Sequence, residues 1–213
     1  EEIAAGDGAT STVVSVTNCP VCSILMAWAN DAQKAQWLKP LARGDMLGAF
    51  CLTEPHVGSQ ADGLKTTAVR VSDGDGDAYV INGVKQFITS GKNGDVAIVM
   101  AVTDKAAGKK GISAFIVPTA TPGYIVARLE DKLGQHAQDT AELFFDDVRV
   151  PRANLLGEPG SGFAQLMTNL SQERLSIAVT ATAIARSVYE ETLQYCKDRK
   201  AFGKPIGTFQ ANR

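Results

Sequence analysis

The feature that most constrains this chain is a double change of period. Apolar residues recur at helical spacing up to about Arg43, at strand spacing between Leu47 and Val150, and at helical spacing again from Gly160 to about Lys200. The middle stretch divides into short β-rich runs at 48–53, 66–71, 79–82, 84–89, 96–103, 112–117, 124–129 and 141–150, separated by Gly, Asp, Asn and Pro. So many strands at this spacing predict a β-barrel or sandwich of about 100 residues. Asn82-Gly83, between Val80-Ile81 and Val84, predicts a two-residue hairpin, because a type I′ turn needs positive φ at both central residues.

The flanking segments read as helices. Val13, Val16, Val21, Ile24, Leu25 and Trp28 share helical spacing, and Asn30-Asp31 forms a break and cap before a second helix over 33–41. This is an α-helical hairpin or the tail of a larger helical domain. From Gly160 one helix of nearly 40 residues is expected, about 60 Å long at 1.5 Å per residue. Its apolar positions (Phe163, Leu166, Leu170, Ile177, Ile184, Val188) need partner helices that so small a domain cannot supply. The fold class is therefore α+β multidomain, a central antiparallel β-barrel or sandwich flanked by α-helical segments and truncated at both ends. The expected boundaries are 1–45, 46–152 and 153–213.

Charge narrows the partners. Lys and Arg number 21 against 23 Asp and Glu, a formal charge of -2 with no long same-sign block, so there is no electrostatic footprint for nucleic acid or an anionic bilayer. Apolar stretches such as 96–102 fall short of the ~20 residues of a membrane span. Four cysteines are too few for a secreted disulfide scaffold. Cys19-Pro20-Val21-Cys22 lacks a second Cys/His pair, which favours core packing over metal or redox work.

The acidic run 72–77 lacks the calcium-loop Gly and Glu, with Ala78 and Val84 in their places, and reads as a hairpin turn. No Gly-rich dinucleotide motif, P-loop or zinc-protease motif is present, only two His occur, and no metal site is expected. Two features remain. Thr53-Glu54-Pro55-His56-Val57-Gly58-Ser59 leaves a strand end and is either a plain tight turn or a loop whose N–H groups and hydroxyls bind a polar heterocycle or phosphate. Glu173 lies on the azimuth of Leu166, Leu170, Ile177 and Ile184, so a carboxylate sits inside the apolar stripe of the long helix. It is either a desolvated general base or the ion-pair partner of Arg174.

Taken in order, the motifs resemble the acyl-CoA dehydrogenases. They run Ala49-Phe50-Cys51-Leu52-Thr53-Glu54-Pro55, Gly58-Ser59, the Asn82–Thr89 segment, Lys132-Leu133-Gly134, Asp139-Thr140-Ala141-Glu142-Leu143, Val150-Pro151, Asn154-Leu155-Leu156-Gly157, Gly162-Phe163 and Arg199-Lys200-Ala201-Phe202-Gly203-Lys204 through Phe209-Gln210. The resemblance implies the end of an N-terminal helical domain, a whole middle β-domain and the first long helix of a C-terminal bundle, clasping FAD and an acyl-CoA. It implies Phe50, Leu52 and Thr53 on the flavin ring, and Ser59 near the pyrophosphate and the CoA side. Phe87 stands where many members have Trp, and Thr89 near the reactive flavin nitrogen. Gly58 and Ile88 complete the near set, while Arg199, Phe202 and Gln210 reach the adenine half of FAD in a neighbouring subunit.

Leu170-Ser171-Gln172-Glu173-Arg174-Leu175 resembles the long-chain and isovaleryl branches, which implies Glu173 as the base, with Ser171, Gln172 and Arg174 beside the substrate. The segment 138–145 leans the same way. Lys109-Lys110 could meet CoA phosphates. Implied partners are an acyl-CoA, electron-transferring flavoprotein and further copies of the chain as a dimer or tetramer. The expected setting is fatty-acid oxidation in the cytoplasm of a bacterium or the mitochondrial matrix of a eukaryote. An acyl-CoA oxidase, a flavin monooxygenase or an inert flavin-free piece are the alternatives.

Overall fold

The computed structural model describes residues 1–74 and 76–212. Helix α1 (Glu2–Gly6) leads into α2 (Gly8–Trp28), whose N-terminus is capped by the Asp7 carboxylate accepting from the Ala9 and Thr10 amides. A π-helical stretch, Thr17–Cys22, lies inside α2 and holds Pro20, which cannot donate to a regular helical ladder. As the sequence predicts, Asn30 opens the next helix, α3 (31–43), through a capping box in which Asn30 Oδ1 accepts from Gln33 N and Gln33 Oε1 accepts from Asn30 N.

Among the described residues ten strands follow the helices or lie beyond them: β1 (Gly48–Cys51), β2 (Thr67–Asp73), β3 (Gly76–Thr89), β4 (Val96–Val102), β5 (Ile112–Pro118), β6 (Tyr124–Leu129), β7 (Thr140–Pro151), β8 (Leu155–Leu156), β9 (Lys200–Ala201) and β10 (Lys204–Pro205). The first eight form one sheet in the order β6-β7-β3-β2-β4-β5-β8, with β1 also beside β4. The sheet is mixed, not wholly antiparallel. β1 runs parallel to β4, and β2 touches β4 in parallel at Thr67 and Val102. The long connection 52–66 between β1 and β2 permits this, since parallel neighbours cannot be joined by a tight hairpin.

The hairpin expected at Asn82-Gly83 is absent. β3 runs straight through these residues for 14 residues, and the reversal lies at the acidic run, where Asp73 pairs with Gly76. Asp75 of that run lies outside the described residues. Gly83 is needed for close approach instead: a Cβ there would lie 2.4 Å from Thr66 Oγ1, at a φ of 153° that L side chains rarely adopt. Adjacent positive φ values occur at Phe202 and Gly203, 51° and 79°, between β9 and β10.

β4 is buried on both faces, which explains its unbroken apolar sequence. Val96, Ile98 and Met100 face the helices, meeting Val21, Ile24 and Leu25 of α2 and Trp37, Leu38 and Leu41 of α3. Ala97, Val99 and Ala101 face the interior of the curved sheet with Phe115, Ile81 and Leu143. Each fully buried aliphatic side chain contributes about 1.5–3 kcal/mol. Gly48 lets α2 press onto β1, since a Cβ there would lie 2.7 Å from Val21 Cγ1. By length and composition α2 could cross a membrane, with a mean hydropathy of 1.3, although its Ser, Thr and Asn interrupt any long apolar run. Its apolar face is spent on this core.

The long helix α4 (Gly162–Asp198) is seated by Gln165, whose Nε2 donates to Leu156 O at 2.8 Å. It then runs antiparallel to α1 and α2, joined to α2 by a 2.8 Å hydrogen bond between the Ser15 and Ser176 hydroxyls and to α1 by Ser187 Oγ donating to Ala5 O. Beyond Leu166 no described residue of α4 is buried.

Candidate functional site

The ends of β1 and β3 meet. Gln86 N donates to Thr53 O at 2.8 Å, so the segment leaving β1 lies against the last turn of β3. Lys85 and Ile88 both face inward because a bulge between them inserts an extra residue into β3. The bulge throws Phe87 outward, 59% exposed at a φ of 60°, and turns Thr89 to the side facing the helices. Phe50 and Leu52 are half-buried against the helical core. Ile88 itself is spent on the sheet interior, so its side chain faces away from this surface.

Thr53, Ser59 and Thr89 carry hydroxyls with no hydrogen-bond partner among the described residues. The tight-turn reading of the loop after β1 holds for its first half: Glu54 N donates to Val57 O and Val57 N to Glu54 O. Gly58 and Ser59, just past that turn, are exposed.

A cavity of about 520 Å³ opens between α2, α4 and this strand end. Thr89 and Glu173 both line it, with Pro20 and Val16 from α2 and Ile177 and Ile184 from α4. The apolar azimuth of Glu173 thus faces a cavity and not a packed core. Burial pushes its carboxyl above the ordinary carboxylate range, and the nearby Arg174 charge only partly opposes that. Glu173 and Arg174 form no ion pair, so the bland alternative for this carboxylate is not what the fold builds. The π-helical stretch of α2 borders the same cavity through Pro20, and burial together with the Glu173 charge raises the Cys19 thiol. A desolvated carboxylate facing an apolar cavity with a free hydroxyl nearby is suited to taking a proton from a weak carbon acid.

Other expected residues fall elsewhere. Ser171, Gln172 and Arg174 point to exposed faces of α4 and do not line the cavity. Arg199, Phe202 and Gln210 are exposed at the far end of α4, and Arg199, just past the helix end, lies roughly 39 Å along the helix axis from Glu173 at ~1.5 Å per residue. Lys109 is held over the Phe163 ring and near Asp62, at 5.1 and 3.6 Å. Sequence reasoning missed Thr12, Ser15 and Gln135, which also line the cavity. Thr12 Oγ1 donates to Gln135 Oε1 at 2.8 Å, across 123 residues of chain, and no local pattern signals that pairing. Hydroxyl residues spaced four apart on both helices, Ser11 and Ser15, Ser176 and Thr180, were the available clue.

Comparison with known proteins finds three matching family models. They are described as the N-terminal domain of acyl-CoA dehydrogenase over residues 1–45, the middle domain over 49–148 and the C-terminal domain over 160–213. The short-chain specific acyl-CoA dehydrogenase of Megasphaera elsdenii is 42% identical over 99% of this chain and 54% of its own length. The structure of butyryl-CoA dehydrogenase from Megasphaera elsdenii superposes with a TM-score of 0.91 at 41% identity, over 99% of this chain and 54% of that one. A glutaryl-CoA dehydrogenase from Mycobacterium smegmatis in complex with FADH2 does so at 0.85 and 36% identity, over 98% and 51%. The chain spans about half the length of the relatives it matches. The curated relative is named short-chain specific and one of the structures is a butyryl-CoA dehydrogenase, where the Leu170–Leu175 segment leaned to the long-chain and isovaleryl branches.

Proposed function

The chain belongs to the acyl-CoA dehydrogenase family, and from that premise we propose that its protein oxidises an acyl-CoA thioester to the trans-2-enoyl-CoA with FAD as cofactor. The observation that carries this is the meeting of Glu173 and Thr89 at one apolar cavity. The residues fit a flavin ring: an outward aromatic at Phe87, half-buried Phe50 and Leu52, and the unpartnered hydroxyls of Thr53, Ser59 and Thr89. FAD, when bound, supplies the acceptor for the substrate β-hydrogen, which leaves as hydride.

Glu173 takes the α-proton onto a carboxylate oxygen as the α,β double bond forms. Its desolvation makes it a stronger base than an exposed glutamate, and Val16, Ile177 and Ile184 give the cavity apolar walls against which an acyl chain would pack. The Thr53 and Thr89 hydroxyls offer hydrogen bonds to the polar edge of the ring, and Ser59, with Gly58, to a phosphate. Arg199, Phe202 and Gln210, so far along α4, would serve a cofactor held mainly by another copy, which supports a dimer or tetramer. Electron-transferring flavoprotein is the proposed acceptor; faster turnover with dioxygen would favour the oxidase alternative.

In the full-length protein, Glu173→Gln retains FAD but loses its anaerobic bleaching by acyl-CoA, with the rate falling on the order of 10²–10⁴-fold. Bleaching at the wild-type rate would sink the assignment. The same assay across straight chains of increasing length and a branched chain reads the acyl preference, on which the Leu170–Leu175 segment and the named relatives point in different directions.

A further inference from the structure

Among the large, fully buried side chains of the described residues is a lysine. Lys85 of β3 faces the core with its side chain 0% exposed, beside Glu54 at 2%. Its Nζ donates to Glu54 Oε1 at 2.9 Å and to Leu52 O at 3.0 Å. Glu54 accepts further from Lys65 N at 2.7 Å and Thr66 N at 3.1 Å, so it also closes the loop that carries Gly58 and Ser59. His56 Nε2 lies 3.6 Å from Glu54 Oε2. With the Gln86 N to Thr53 O bond, residues 52, 53 and 54 are each tied to 85 or 86.

Such a pair is an uneconomical way to stabilise a core. Two charges out of water recover their desolvation cost only in good geometry, and an apolar pair of similar volume is commonly as stable. What an ion pair adds is registry. β3 has a bulge immediately after Lys85, the segment after Cys51 has left its strand partner, and neither has a continuous ladder to fix it. Both are the segments that bear the candidate ring contacts.

We propose that Lys85, through Glu54 and the Leu52 carbonyl, is a positioning residue that holds the strand ends 52–53 and 87–89 at the spacing a flavin ring requires; this rests on the flavin reading above. Lys85 does not touch the ring. It places Thr53 on one side and Phe87 and Thr89 on the other.

The test uses full-length protein as wild type, Lys85→Met, and Lys85→Met with Glu54→Gln, the last removing both charges while keeping the volume. Folding is read by circular dichroism and thermal unfolding. FAD is then titrated into the stripped proteins, and the visible spectrum and midpoint potential of the bound flavin are recorded. The double variant folds with a Tm near wild type, since no charge is left stranded. It holds FAD on the order of tenfold more weakly, the scale found when partners that orient a ligand-binding group are removed, and the spectrum or potential of what binds is shifted. Lys85→Met alone strands Glu54; if it fails to fold, the double variant carries the comparison. A double variant with wild-type affinity, spectrum and potential overturns the proposal and leaves the flavin reading standing. A double variant that cannot fold also overturns it, because the pair then serves the fold itself. Wild-type protein that takes up no FAD overturns both.

Discussion

At Glu173 two demands meet: the carboxylate must be ionised to accept a proton and desolvated enough to hold one. Burial raises its pKa above the ordinary value, and the sign of the linkage follows. A carboxyl whose folded pKa is raised contributes its stability below the unfolded pKa and loses it as pH rises through the folded pKa. Glu173→Gln therefore gains stability over wild type as pH is raised through and above the range of an exposed glutamate, read as a widening difference in Tm. A difference that stays flat across that range contradicts the burial. Flavin reduction by wild type loses rate on the acid side at a pH above the range of an exposed glutamate. The candidate base was legible in sequence because helical periodicity fixes azimuth. Gln135 and Lys85 were not, since one reaches the site by a 123-residue contact and the other looks like any lysine on a strand until its partner is known.

Among the elements, β3 and α4 show how far periodicity carries. The alternation of β3 was readable on either side of Asn82-Gly83, but that dipeptide has the same appearance in a turn and at a close approach. Only Thr66, packed against Gly83, decides for the second. The Lys85–Ile88 bulge was equally silent, and it sets the outward direction of Phe87. The length of α4 was readable, because 3.6-residue periodicity accumulates over many turns. Its burial is uneven: Leu166 is enclosed, while Leu175, Ile177, Val188 and Tyr195 are exposed. Hydrogen exchange on this 213-residue chain should accordingly be slowest in β4 and β5 and faster by orders of magnitude in α4 beyond Ser176. Uniform protection along α4 would contradict it.

Taken whole, the molecule has a two-faced core under β4 and a helix whose far half covers little. Leu175, Ile177, Val188, Tyr189, Leu193 and Tyr195 are all exposed on this one element, and large exposed apolar side chains gathered on one element are the kind of surface that favours association. The 213-residue chain by itself should associate with rising concentration, with a light-scattering mass above its 22.5 kDa. A strict monomer at high concentration would count against the exposure. The order of periods, the Asn30 cap, the β-rich runs that became β1 to β7 and the azimuth of Glu173 came from sequence, because each is a local consequence of side-chain type and backbone geometry. Tertiary structure alone decided that β1 lies parallel to β4, that Thr89 and Glu173 share a cavity, and that a buried Lys85–Glu54 pair ties the two strand ends together. Those depend on contacts between residues far apart in the chain, which no local period encodes.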